Sequence, residues 1–114
     1  MREVMYYLAS TKHVNHALKG RAARGADQET SWADMAAKVP ETMTASVAFI
    51  DDLIEGPLLF GDQITLADCW LFAIATWVEG DGVALAPFEK MRGFIAAMEA
   101  RPSVKIVRSK GVLD

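Results

Sequence analysis

Two histidines, His13 and His16, stand three residues apart near the start of the chain. At that spacing they occupy neighbouring positions on one helix face and could bind a metal or shuttle a proton. No third ligand with suitable spacing accompanies them, so no metal site is expected. Asp68 looks like a general acid until its spacing from Thr65 is considered. Threonine at a helix start with an acid three residues on is the pattern of a capping box: the hydroxyl accepts from the third backbone N–H, and the carboxylate reaches back to the first. Removing that carboxylate is expected to cost about 1 kcal/mol or more. Ile64 before the cap and Cys69 after the box hold the positions of a hydrophobic staple. A thiol near a helix N-terminus can gain thiolate character, but a staple position predicts packing, so Cys69 is expected to be buried and inert. Gly61-Asp62 and Gly80-Asp81-Gly82 lack the strand and helix flanks of a phosphate loop. No Ser-His-Asp set or pair of catalytic carboxylates stands out.

These residues must be carried by helices. After Thr65 the run Trp70, Leu71, Phe72, Ala73, Ile74, Ala75, Trp77, Val78 is apolar around the whole helical wheel. A helix without a polar face is buried or in a membrane, and this one falls well short of the roughly 20 residues a bilayer requires. It is read as a central core helix over about 65–79, ended by Glu79-Gly80-Asp81-Gly82, with all three tryptophans (Trp32, Trp70, Trp77) in the core. Met1 to about Ala23 has helical spacing, with Met1, Val4, Met5, Leu8, Val14, Leu18 and Ala22 on one broad face into which Lys12 and Asn15 intrude. Arg2, Tyr6, Ala9, His13, His16 and Gly20 line another side. This helix opens without a capping residue and with a basic residue in its first turn, so something upstream is expected to be missing. A second helix is expected from Thr30 or Ser31 to Gly56, kinked or split at Pro40. A fourth follows Pro87, and a short fifth follows Arg101-Pro102 with Val104 and Val107 facing inward. The reading is an all-α, five-helix bundle with no strands, one domain over 1–114.

Composition agrees. A chain of 114 residues with 52% apolar and 24% charged residues can hold one core. A net charge of −3 gives no footprint for nucleic acid or an anionic membrane. One cysteine excludes an internal disulfide and fits a reducing cytoplasm. No signal peptide is readable.

Gly61-Asp62 followed by Ile64-Thr65-Leu66-Ala67-Asp68 and an apolar helix resembles the signature of the C-terminal, all-helical domain of glutathione S-transferases, in a bacterial, beta-like form. Pro57-Leu58-Leu59-Phe60 before it, and Phe88, Met91, Ile95 and Met98 with Arg101-Pro102-Ser103-Val104 after it, are similar to that domain too. The resemblance runs from about Glu3 to about Val107. Nothing resembles the thioredoxin-like N-terminal domain, which in this family binds glutathione and supplies the activating Tyr, Ser or Cys. The resemblance implies that Tyr6, Ala9 and His13 line a pocket for a hydrophobic co-substrate, with His13 facing the glutathione site from the side; the neighbouring family lysine is Val14 here. Tyr6 and its neighbours could equally pack against the absent domain. No cofactor is expected on this chain alone, glutathione being the co-substrate of the intact family. The implied functions are the electrophile-site wall of a detoxifying transferase, with little activity alone, or a non-catalytic assembly module. A truncated reading frame with no function of its own is the third reading. Partners are expected to be a second copy of the chain or the missing N-terminal domain.

Overall fold

The computed structural model describes residues 1–113. Among them the helical periodicity becomes six α-helices, and the only extended pairing is an isolated Leu58–Gly61 bridge. Helix α1 (Arg2–Tyr7) passes without interruption through a π-turn (Leu8–Lys12) into α2 (His13–Arg21), followed by a 3₁₀ turn at Ala22–Arg24. The others are α3 (Glu29–Leu53), α4 (Leu66–Ala75), α5 (Glu89–Glu99) and α6 (Pro102–Ser109). Since α1 and α2 form one rod, the architecture is an all-α bundle of five rods. Every rod contributes to one core: Val4 and Leu8 from the first, Val39, Met43, Val47 and Ile50 from α3, Leu71, Phe72 and Ile74 from α4, Met91, Phe94 and Met98 from α5, and Val104 from α6.

The start of α4 is the most strongly specified point. Thr65 is extended, and the reciprocal Thr65–Asp68 capping box is present. Asp68 Oδ2 accepts the Thr65 N–H at 2.7 Å and the Thr65 hydroxyl at 3.2 Å. Its Oδ1 accepts the Leu59 N–H at 2.9 Å, so the same carboxylate anchors the preceding loop. Asp68 is fully buried, and all that compensates its desolvation is this set of donors. The loop closes tightly around it. A Cβ on Gly56 would come within 2.8 Å of Gly61 Cα, and Gly61 has φ +99°, a conformation that favours glycine.

Several expectations are corrected. The central helix ends at Ala75 rather than near 79, because its last turn tightens: Trp77 N–H bonds Ile74 O, Val78 N–H bonds Ala75 O, and the Thr76 hydroxyl bonds back to Ala73 O. It is also not buried all round. Leu66 is 64% exposed and Cys69 is exposed. Ile64 and Cys69 face one shallow apolar groove with Phe72, Met98 and Val104, open to solvent rather than sealed. Helix α3 begins at Glu29 after an extended Gln28, with no side-chain cap, so Ser31 and Asp34 lie inside it. It ends at Leu53 and runs unbroken through Pro40. The proline ring projects outward and packs under Gly82, whose φ is +87° and whose Cβ would fall 3.0 Å from Pro40 Cγ. Pro87 precedes α5 rather than opening it; the first-turn N–H of Met91 is capped from another helix, by Asp51 Oδ1 at 2.8 Å.

Candidate functional site

The first rod carries an inserted residue. His13 N–H bonds Leu8 O, five residues back, which defines the π-turn. Absorbing one extra residue rotates everything beyond it by roughly 100°, one residue's share of a 3.6-residue turn. The rotation accounts for one departure from the simple helical wheel. Val14, expected on the inner face, is 49% exposed. Lys12, expected as an intrusion on that face, lies entirely within the interior. Its ammonium has no hydrogen-bond partner, and burial pushes its pKa down to about 8, partly opposed by the charge of Asp81.

Asp81, in the loop after α4, is the counter-charge of this end of the molecule and is 3% exposed. An ionised carboxylate only accepts, so His16 Nδ1–H is the donor to Asp81 Oδ2, at 2.5 Å. Lys19 Nζ stands 3.7 Å from Oδ1 and also donates to Gly80 O. The His16 ring stacks on Trp77, with centroids 4.3 Å apart and planes at 21°. The His13 ring lies against the same indole, at 5.3 Å and 54°. These rings, with Ala17, Lys19, Gly20 and Arg21, line an open cleft of about 480 Å³, within the roughly 300–1,000 Å³ typical of small-molecule sites. Residues 1–24 hold five basic residues and one acid in a chain of net charge −3, so the rod that carries the cleft is locally basic.

Of the residues singled out for chemistry, His13 lines this cleft. Tyr6, 70% exposed, and Ala9, also exposed, do not line it; they extend the uncovered side of the same rod. Trp77, expected in the core, is half-buried against it and also forms the aromatic wall of the cleft. Asp81, read as part of a plain loop, is the buried acceptor. No local pattern marks either one, since Asp81 meets His16 across 65 residues. Among the described residues no three His, Cys, Asp or Glu side chains come close enough to hold a metal ion. None of the described helices is long and apolar enough to cross a membrane.

The comparisons with known proteins follow this geometry. Residues 15–109 match the family model for the glutathione S-transferase C-terminal domain. A glutathione transferase homologue from Sulfitobacter, crystallised with bound glutathione, is 48% identical and superposes with a TM-score of 0.94. The match covers 96% of this chain and 53% of that one, so this chain spans about half the length of that relative. A ternary complex of BphK, a bacterial glutathione transferase, has a TM-score of 0.74 over 96% of this chain and 52% of its own; at 20% identity it shows the shared fold alone. No curated protein matches. The chain belongs to the glutathione S-transferase family and carries its C-terminal, all-helical domain.

Proposed function

We propose that this chain supplies the co-substrate wall of a protein that conjugates glutathione to hydrophobic electrophiles, a detoxifying reaction of the bacterial cytoplasm. Tyr6 and Ala9 form the apolar part of that wall, and His13 contacts glutathione from the side. One observation carries the reading: the Tyr6–His13–Trp77 side is uncovered in a chain that corresponds to half of a 48% identical relative with glutathione bound. The thiol-activating group belongs to a thioredoxin-like partner, so the chain alone should show little turnover of glutathione with an aromatic halide. Binding is the direct test. S-hexylglutathione titrated into ¹⁵N-labelled chain should shift the amides of Tyr6, Ala9 and His13 and the indole N–H of Trp77. Tyr6→Ala should weaken that binding about fivefold, the worth of one aromatic contact. Unmoved resonances at high ligand concentration would overturn the reading.

A second reading, an assembly module without catalysis, is favoured by the apolar groups that the rod and its neighbour leave open. Tyr6, Val14 and Phe49 are 70%, 49% and 42% exposed, and Phe49 stacks on Tyr7 at 4.3 Å. Such a surface suits a second copy of the chain or the thioredoxin-like domain.

A further inference from the structure

Beneath the cleft lies a group of charges that wall-forming alone does not require. Lys12 is fully buried and unpartnered, Asp81 is nearly so, and His16 joins Asp81 to the aromatic wall. An apolar filling would be cheaper at all three positions, because burying an unpaired ammonium and a carboxylate costs several kcal/mol per ion before any compensation. Lys12 ends a π-turn, a departure from the regular helix of a kind found frequently at functional sites.

We propose that Asp81 and His16 are positioning residues for the cleft, setting the orientation of His13 through the ring stack on Trp77. The contacts run in one unbroken line. Asp81 accepts the Nδ1 proton and so fixes both the tautomer and the rotation of the His16 ring. That ring lies nearly flat on the Trp77 indole, and His13 rests at an angle against the same indole. Around Asp81 stand His16, Lys19 and Lys12, all from the first rod. Lys19 Nζ, 3.7 Å from Oδ1, is a further polar neighbour of the same carboxylate. Without the anchor, the His16 ring is free to turn, the stack loosens, and His13 loses its fixed approach to a bound ligand.

The inference rests on the reading of the cleft as a ligand wall, and its test separates the two. Affinity for S-hexylglutathione is measured by titration calorimetry on the full chain for Asp81→Asn, His13→Ala and the double variant. Asp81→Asn removes the charge, and Asp81 is not among the residues lining the cleft, so a loss that it shares with His13→Ala passes through the stack on Trp77. Each single change should weaken binding about tenfold, and the double variant should be no weaker than the poorer single one, the non-additivity of one coupled unit. Asp81→Glu, which keeps an acceptor, should recover most of the loss, and the His13 ring resonances should move in Asp81→Asn without ligand. If Asp81→Asn fails to fold, His16→Phe replaces it: it keeps the ring stack but cannot bond Asp81, and is expected to behave in the same way. Additive losses, or unchanged affinity in the Asp81 or His16 variant, overturn the positioning role while leaving the wall intact. Absence of any binding to the unmodified chain overturns both.

Discussion

At the residue scale, Lys12 sets the sharpest expectation. Its pKa is lowered from 10.5 to about 8 by burial. A base with a depressed folded-state pKa binds fewer protons folded than unfolded between those two values. Its contribution is therefore present above pH 10.5 and is lost as the pH falls through about 8. Lys12→Met removes this linkage. The stability of the unmodified chain relative to Lys12→Met should rise by about 3 kcal/mol between pH 8 and 10.5, measured by denaturant titration across that range. A pH-independent difference would mean that the ammonium is hydrated in solution. The spacing of apolar residues marked Lys12 only as an intrusion. That its ammonium is covered completely and without a partner depends on how the other rods pack over it, and no residue type in Leu8-Ala9-Ser10-Thr11-Lys12 announces the π-turn it ends.

At the element scale, Asp68 shows how one side chain can do more than its local motif suggests. From sequence it is a cap, worth about 1 kcal/mol or more. In the fold the carboxylate takes three donors, and the Leu59 N–H among them ties the 54–65 loop to the start of α4. Asp68→Ala should therefore cost about 3 kcal/mol in a denaturant titration, a lost cap together with a buried charged hydrogen bond. A loss near 1 kcal/mol would mean that the Leu59 bond contributes nothing. Helix α5 illustrates the opposite case, since its first turn has no capping side chain of its own and borrows Asp51 from α3. Helix α3 is not split at Pro40, where local propensity argued for a kink or a break. The missing N–H removes a single ladder bond, the ring faces outward, and packing along the rest of a 25-residue helix holds the line.

At the scale of the whole molecule, the charge and the open surface are unevenly shared. Eleven of the twelve basic residues fall in two stretches, five in 1–24 and six in 90–110, while Tyr6, Val14 and Phe49 leave apolar area uncovered on the first rod and α3. Such a face should associate, so light scattering should give an apparent mass that rises with concentration. Tyr6→Glu should shift that curve toward the monomer. A constant monomer mass for the unmodified chain would count against self-association.

The amino-acid sequence by itself determined the all-α class, the five rods, the Thr65–Asp68 box and the family. Each of these follows from residues within a few positions of one another, where backbone geometry alone fixes who meets whom. Only the tertiary structure decided that Asp81 grips His16, that Trp77 packs on the core and also walls a cleft, and that Cys69 faces solvent. Those outcomes join residues far apart in the chain or depend on how one helix covers another, and helical periodicity carries no information about either.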